Sequence, residues 1–381
     1  MEVPIDIYDV AVVGLGAVGS ATASELTRRG HKVLGLDRFA PPHTLGSSHS
    51  DTRMIREAYY HNSHYVPLVN TAFDYWTDLE VRSGRKLLKK TGALTIGQRE
   101  SFGFNSSLQS IAKNGSEFEG LSSEELHDRY PVFTPDPKTF AIYEHRAGVL
   151  VPEHCIETLL EEAEDAGANL RFDEPMINWR AFSGGVEVQT ENATYQTRRL
   201  AVATGAWTTG LFPDFPISLE VERTVQHWFE PATVDATPHF APNVCPPWVW
   251  EYAPESTWYG FPKTKRGIKV GMHVQQGRLT QVECLDRNVA PHEESTMRQV
   301  LARCMPSASG PITGSSVCMY TKTPDEDFIL DRHPDCSEIV IFTGGSGHAF
   351  KFALVLGELV SDLLTDQAPV HNIEHFRLTR F

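Results

Sequence analysis

Apolar and polar positions near the start of the chain follow a strand, helix, strand pattern. Residues 8–13 are an almost unbroken apolar run that glycine follows at position 14, residues 20–29 are apolar at helical spacing, and residues 32–36 form a second run. Short apolar runs bounded by glycine are typical of buried strands. The pattern predicts a β-α-β unit, and because such crossovers are right-handed, its strands should be parallel neighbours.

Similar patterns return in the middle and at the end of the chain. They lie at 65–79, 155–166, 186–189, 200–204 and 339–342, and a further helix is predicted to run to about Leu364. The intervening segments are rich in short strands and aromatic residues, which is typical of a second sheet. We therefore predict an α/β protein (α+β overall), with two interleaved domains.

The predicted division is discontinuous. A Rossmann-type, dinucleotide-binding domain takes the segments that contain the β-α-β pattern, and a sheet-rich substrate domain takes the rest. The first comprises residues 1–85, 146–215 and 316–381, and the second comprises residues 86–145 and 216–315.

The first turn carries the glycine spacing of a dinucleotide site, Gly14-Leu15-Gly16-Ala17-Val18-Gly19. Gly14 permits a tight turn, Gly16 lets the backbone approach a pyrophosphate, and Gly19 allows close packing of helix on strand. The free N–H groups at Ala17 and Val18 then face the phosphates. Asp37 ends the second strand, where an acid binds ribose hydroxyls, and Arg38 follows it. This unit predicts FAD or NAD and does not separate them.

Composition narrows the possible partners. The chain has 381 residues and a net charge of −15, so nucleic acid and anionic membranes are not expected partners. Its six cysteines form no CxxC pair or zinc-type spacing, so we expect reduced thiols and no metal. With neither a signal-peptide pattern nor an apolar run of about 18 residues, we expect a cytoplasmic protein.

Five segments favour FAD over NAD, because they resemble motifs of a known flavoenzyme family. They occur in the order found in the monomeric sarcosine oxidase and N-methyltryptophan oxidase family, within the D-amino-acid-oxidase superfamily, and they resemble its motifs. The segments are 46–56 (GSSHSDTRMIR), 267–273 (GIKVGMH), 316–331 (SVCMYTKTPDEDFILD), 346–352 (SGHAFKF) and 376–381 (FRLTRF). The resemblance implies a monomeric FAD-dependent amine oxidase.

The family resemblance also assigns the cofactor contacts. It implies that FAD is tethered by a thioether between Cys318 and the flavin 8α-methyl group, whereas Cys318 taken alone would be an ordinary buried thiol. Further cofactor contacts are implied at Ser47, Ser48, Arg53, Met176, Thr204, Gly205, Trp207, Met319, Gly344, Gly347, His348 and Lys351.

The remaining roles concern the substrate and oxygen. The resemblance assigns Arg56 and Lys351 to the substrate carboxylate and Lys269 to O2 reduction near the flavin N5, although a lysine in an apolar strand could also point outward to solvent. His273 lies four residues on from Lys269, hence on the same strand face. The family places His49 and Arg53 beside the flavin ring, and it places Tyr259, Tyr320 and Gly345 in the substrate pocket.

Three positions depart from the family pattern. Ser50 and Ala349 stand where glycine is usual, so we expect an ordinary backbone conformation or a small shift at each. Gly345 replaces a bulky residue, which predicts a larger pocket and leaves substrates other than N-methylglycine open.

The expected reaction is oxidation of the C–N bond of a secondary (N-methyl or cyclic) amino acid. A hydride equivalent passes to flavin N5, water hydrolyses the imine, and O2 becomes H2O2. L-pipecolate oxidases and fructosyl amino acid oxidases share much of the pattern and remain alternatives. A flavin or NAD dehydrogenase that does not use O2 is a third.

Overall fold

The computed structural model describes residues 7–59, 62, 64–113, 115–254, 256–273 and 281–381. The strands are β1 (Tyr8–Val13), β2 (Val33–Leu36), β3 (Arg53–Ile55), β4 (Leu88–Lys89), β5 (Ala93–Gln98), β6 (Phe118–Ser122), β7 (Thr139–Glu144), β8 (Gly148–Leu150), β9 (Asn169–Arg171), β10 (Met176–Phe182), β11 (Gly185–Thr190), β12 (Thr194–Val202), β13 (Glu220–Phe229), β14 (Trp248–Ala253), β15 (Ser256–Thr264), β16 (Gly267–Met272), β17 (Ile312–Lys322), β18 (Ile329–His333) and β19 (Cys336–Thr343). The α-helices are α1 (Ala17–Arg28), α2 (Tyr65–Ser83), α3 (Phe102–Lys113), α4 (Ser123–Arg129), α5 (Pro152–Asp165), α6 (Thr208–Leu211), α7 (Pro291–Cys304) and α8 (Ala353–Leu364). Short 3₁₀ turns include Gly205–Trp207 and Phe350–Phe352.

The first sheet is built around parallel strands. Its order is β10-β11-β12-β1-β2-β9, and β19 also pairs with β12 while β18 pairs with β19. β1 runs parallel to β2, with Val10 opposite Val33, and parallel to β12 on its other side. The predicted β-α-β unit and its parallel strands are therefore confirmed.

Helices α1, α2, α5 and α8 form one layer whose buried side chains share the main apolar core with this sheet. α1 and α8 approach closely, since a Cβ on Gly357 would lie 2.8 Å from the Cβ of Ala21. On the other side, apolar residues of β1, β2, β12 and β19 pack with those of the β10–β11 hairpin. The carboxyl ends of the parallel strands are left at one edge, where α/β proteins bind their ligands.

The second sheet has the order β17-β13-β16-β15-β14-β5-β7-β6 and is antiparallel except where β14 pairs with β5. One of its faces packs against α4 and α7 in a core that includes Trp248, Trp250 and Trp258. The other face is turned toward the first sheet. The predicted boundary at residue 316 falls inside β17, which pairs along its length with β13 of the second sheet.

A third, small sheet has the order β3-β8-β4 and carries the start of the segment that includes Arg56. All six cysteines are free thiols, as the sequence predicted. No helix among the described residues combines the length and the apolar character that a membrane crossing requires.

Candidate active site

A cavity of about 510 Å³ lies between the carboxyl ends of β1, β2, β12 and β19 and one face of the second sheet. That volume is in the range of small-molecule and cofactor sites. Twenty-four of the predicted site residues line it: Gly14, Gly16, Ala17, Val18, Asp37, Arg38, Ser47, Ser48, Arg53, Arg56, Met176, Thr204, Gly205, Trp207, Tyr259, Lys269, His273, Cys318, Met319, Tyr320, Gly345, Gly347, His348 and Lys351.

The glycine turn after β1 has no space for side chains at two of its positions. Gly14 has a φ of 87°, and a Cβ there would lie 2.6 Å from the carbonyl oxygen of Ala203. A Cβ on Gly19 would lie 1.7 Å from the carbonyl oxygen of Gly14, so the helix packs directly on the turn. Gly16 is the N-cap of α1 and has no side chain to cap the helix, and Ser48 Oγ accepts from the backbone N of Ala17 in its first turn at 3.3 Å. The helix N-terminus is thus suited to an anionic group in the cavity.

Asp37 braces this turn from the end of β2. Its Oδ2 accepts from the backbone N of Leu15 at 2.6 Å, and its Oδ1 accepts from the backbone N of Phe39 at 2.9 Å. Burial raises the pKa of Asp37, and the two backbone N–H groups oppose that shift. Arg38 lies over the ring of Trp207, with 5.4 Å from its guanidinium carbon to the ring centroid.

The strand register explains which side chains of the second sheet face the cavity. Lys269 on β16 is directly opposite Trp228 on β13 and Phe261 on β15, and directly opposite residues share a face. Cys318 on β17 shares the same face through its pairing with Thr224. The neighbours of Lys269 in sequence point instead into the apolar core. Lys269 is only 1% exposed, so the outward, solvated alternative is wrong.

The Lys269 ammonium is held by the loop that follows Ser48. Its Nζ donates to the carbonyl oxygens of Ser50 at 2.6 Å and Thr52 at 3.1 Å, and to Thr52 Oγ1 at 3.2 Å. Three acceptors match the three N–H groups of a protonated amine, whereas a neutral amine has two. Burial, followed by the charge of Arg53, lowers the pKa of Lys269, and the charge of Asp51 opposes this.

The loop adopts an unusual backbone. Ser50 has a φ of 87° and Asp51 a φ of 66°, both in the left-handed region. Our expectation of an ordinary conformation at Ser50 is therefore wrong, because the position still requires the geometry that glycine provides. The free-energy cost of this left-handed backbone is offset by Glu153, which accepts from the backbone N of Ser50 at 2.7 Å, and by the hydrogen bond that Lys269 donates to the Ser50 carbonyl oxygen. Ala349, by contrast, has a helical φ of −72°, as expected.

Two further cations line the same cavity. Arg56 and Lys351 are 6% and 8% exposed, and they lie on different elements, one after β3 and the other in the Phe350–Phe352 turn. Lys351 Nζ donates to the carbonyl oxygen of His348 at 2.8 Å. Burial lowers the pKa of Lys351, and the positive charge of Arg56 lowers it further. Such a pair is suited to a carboxylate, whose negative charge would offset part of the positive charge of the pair.

Aromatic side chains form the wall beside these cations. Tyr320 packs against Gly347, where a Cβ would lie 2.8 Å from the tyrosine ring. The ring centroid of His273 is 6.0 Å from that of Tyr320 and 6.5 Å from that of Tyr259. Burial raises the pKa of Tyr259 to about 12, so this hydroxyl stays protonated at neutral pH. Gly271 leaves the room that the Tyr259 hydroxyl occupies.

Cys318 is buried within the wall, and its Sγ lies 3.9 Å from the carbonyl oxygen of Ser47. Ser47 Oγ donates to the carbonyl oxygen of Met319 at 2.8 Å, which fixes the loop against β17. The thiol therefore sits where a ligand in the cavity can reach it.

Three predicted site residues do not line the cavity. Gly19 supports the glycine turn from below. Gly344, with a φ of 68°, packs on Thr323. His49 is buried behind the loop, where its Nδ1 is 2.7 Å from Ser50 Oγ, and burial lowers its pKa to about 3.

Sequence reasoning missed several cavity residues. Gln226, Phe261 and Val249 all lie on the cavity face of the second sheet, and Tyr59 follows Arg56. No motif marks them, although Gln226 is opposite Gly271 in the register and could have been found had the pairing of β13 with β16 been known. No group of three or more His, Cys, Asp or Glu within the described ranges is arranged to hold a metal ion.

Comparison with known proteins gives this site a context. Residues 9–363 match the family described as FAD dependent oxidoreductase. A monomeric sarcosine oxidase of Streptomyces avermitilis is 36% identical, over 97% of this chain and 96% of the relative. An N-methyl-L-tryptophan oxidase of Yersinia pestis is 31% identical, over 98% of this chain and 99% of the relative.

Solved structures share the fold at lower identity. NikD, described as an unusual amino acid oxidase, superposes with a TM-score of 0.85 at 22% identity, over 98% of this chain and 97% of that one. Glycine oxidase from Geobacillus kaustophilus gives a TM-score of 0.82 at 20% identity, over 98% of this chain and 99% of that one.

Proposed function

Since this chain belongs to the family of FAD-dependent oxidoreductases, we propose that it is an oxidase of secondary amino acids, either N-methylated or cyclic. The C–N bond is oxidised to an imine that water hydrolyses, and O2 is reduced to H2O2. The observation that carries this proposal is the buried pair Arg56 and Lys351, which lines the same cavity as the glycine turn and Lys269.

The residues at the carboxyl ends of the first sheet fit FAD. The turn at Gly14 and Gly16 and the N-terminus of α1 would hold the pyrophosphate, and Asp37 and Arg38 lie where the adenosine half would extend. Met176, Thr204, Gly205 and Trp207 would complete that half of the site. FAD, when bound, supplies the two-electron chemistry that takes electrons from the amine and passes them to O2.

Cys318 is the proposed point of covalent attachment. Its thiol lines the cavity on the face of the second sheet that also carries Lys269, and the loop at Ser47 and Ser48 packs beside it. Met319, Gly344, Gly347 and His348 would surround the ring half of the cofactor.

Arg56 and Lys351 would bind the substrate carboxylate. The guanidinium offers a planar fork and the ammonium a point charge, so together they fix both the position and the orientation of an amino acid. The positive charge of Arg56 lowers the pKa of Lys351, and a bound carboxylate would relieve the repulsion between these two buried cations. This supports an anionic substrate over a plain amine.

Lys269 would serve the oxidative half of the cycle. A buried cation stabilises negative charge that develops on O2, and its three hydrogen bonds hold it in place before the reaction starts. Arg53 and His49 would tune the environment of the flavin ring, the latter from behind the loop. His273, Tyr259 and Tyr320 would enclose the amine.

The size of the substrate is set partly by Gly345. A Cβ at this position would lie 3.1 Å from the Cβ of Ala349, so the wall here is made of small groups. This favours amines larger than N-methylglycine within the proposed class.

We also propose a monomeric, cytoplasmic enzyme. The term monomeric in the name of the sarcosine oxidase relatives supports the first, and six free cysteines fit a reducing compartment.

The test is a substrate panel read by H2O2 formation in air. It should contain N-methylglycine, N-methyltryptophan, pipecolate and a glycated amino acid, with each matching carboxamide as the control. We expect H2O2 from at least one acid and none from its carboxamide. Peroxide-free turnover of an acid with an artificial electron acceptor would favour a dehydrogenase instead.

A further inference from the structure

Glu144 is a buried acid that does not line the cavity but lies directly behind it. It is the last residue of β7 and is 1% exposed. The chain then turns into β8, where Gly148 pairs with Ile55 at the end of β3. This pairing brings residues 144–146 beside the segment that begins with Arg56.

Residues of this turn form hydrogen bonds with the segment after Arg56 at two points. Glu144 Oε2 accepts from the backbone N of Glu57 at 2.6 Å and of Ala58 at 2.9 Å. Arg146 Nη1 donates to Glu57 Oε1 at 3.0 Å, and its Nη2 donates to Asp74 on α2 at 2.7 Å. The two residues directly after Arg56 are therefore fixed through both backbone and side chain.

Charge links the same acid to the cavity. Burial raises the pKa of Glu144 to about 7, while the positive charge of Arg56 and the two backbone N–H groups oppose the rise and the charge of Glu57 adds to it. Arg56 in turn lowers the pKa of Lys351. The electrostatic effect of Glu144 thus reaches the cation pair from outside the ligand space.

We propose that Glu144 is a positioning residue for carboxylate binding: by holding the backbone of Glu57 and Ala58, it sets the direction from which the Arg56 guanidinium meets the substrate. The proposal rests on the function proposed above. It makes the affinity for carboxylates, rather than the stability of the flavin site, the property that depends on Glu144.

The variants Glu144→Gln and Glu144→Ala separate hydrogen bonding from charge. Glutamine keeps a carbonyl oxygen for the two N–H groups, whereas alanine leaves both without an acceptor. Glu119→Gln is the matched control. Glu119 lies on β6 opposite Tyr143, the residue before Glu144, but its carboxylate is in an exposed cluster with Arg129 and His145.

The experiment titrates each FAD-loaded protein with methoxyacetate and with methoxyacetamide, following the flavin absorbance. Methoxyacetate has the shape of N-methylglycine but no oxidisable amine, and its amide lacks the charge. We expect the Kd for methoxyacetate to rise by about tenfold or more in Glu144→Ala and by about threefold in Glu144→Gln. The Kd for methoxyacetamide and the behaviour of Glu119→Gln should stay within about twofold of wild type.

An unchanged methoxyacetate Kd in Glu144→Gln and Glu144→Ala would overturn the proposal. So would an equal weakening of both ligands, because that result describes a general structural role. If Glu144→Ala does not fold, the ratio of the two Kd values in Glu144→Gln decides. Wild-type protein that binds neither methoxyacetate nor any acid of the substrate panel would overturn the proposed function itself, which distinguishes the two failures.

Discussion

Replacing Glu144 with glutamine should change how the stability of the protein depends on pH. The acid is fully buried, and its pKa in the folded chain is about 7 against an ordinary value of 4.5. A folded-state pKa above the unfolded value means that stability is present below pH 4.5 and is lost as the pH rises toward 7. Arg56 and Glu57 are the charged groups that act on its pKa, and Arg146 is paired with Glu57.

The size of the effect follows from linkage. One pKa unit corresponds to about 1.4 kcal/mol, so ionising Glu144 costs about 2.5 kcal/mol of unfolding free energy between pH 5 and pH 8. For a chain of 381 residues, an unfolding entropy of about 2.1 cal/mol/K per residue converts this to about 3 °C in Tm. Because glutamine does not titrate, the variant escapes this loss.

The assay is thermal unfolding of FAD-loaded wild type and Glu144→Gln at pH 5 and pH 8. The quantity of interest is the Tm of the variant minus that of wild type, in which the other titrating groups cancel. We expect this difference to increase by about 3 °C from pH 5 to pH 8. A difference that is independent of pH, or that decreases, would refute the reasoning, since the pKa of Glu144 in the folded chain would then be at or below its ordinary value.

Three further outcomes are expected. Lys269→Met should slow flavin reoxidation by about a hundredfold in stopped-flow experiments and change anaerobic flavin reduction far less; equal slowing of both would remove its role with O2. Cys318→Ser should release its FAD on acid precipitation while wild type keeps the yellow colour, and release from wild type would exclude the thioether. Gly19→Ala should purify without FAD, because its Cβ would collide with the carbonyl oxygen of Gly14; a full complement of FAD would contradict that packing.

The parts of the structure that sequence predicted are those specified locally. The β-α-β unit from Tyr8 to Leu36 needs only apolar periodicity and glycine spacing, and both lie within a few tens of residues. The alternation of apolar and polar residues alone did not show which face of β16 carries Lys269. Burial resolved it, because both faces of β16 are covered, one by the apolar core and the other by the cavity loop.

The parts that sequence did not predict depend on pairing between distant segments. Glu144 contacts a backbone segment that lies 86 residues away, and no local pattern marks such a contact. Gln226 reaches the cavity only because β13 pairs with β16 and β17 at a particular register. Ser50 shows a different limit, since its left-handed backbone is held by Glu153 and Lys269 rather than by its own preference.

We propose that the flavin bound in this cavity takes electrons from a carboxylated secondary amine and delivers them to O2. The most direct test of this proposal is anaerobic mixing of the FAD-loaded protein with the acid that gives most H2O2, followed by admission of air. We predict that the flavin absorbance bleaches and then returns with one H2O2 per amine consumed, and that Arg56→Met needs far more substrate to bleach. The proposal would be contradicted if dithionite reduces the flavin but no secondary amino acid of the panel bleaches it.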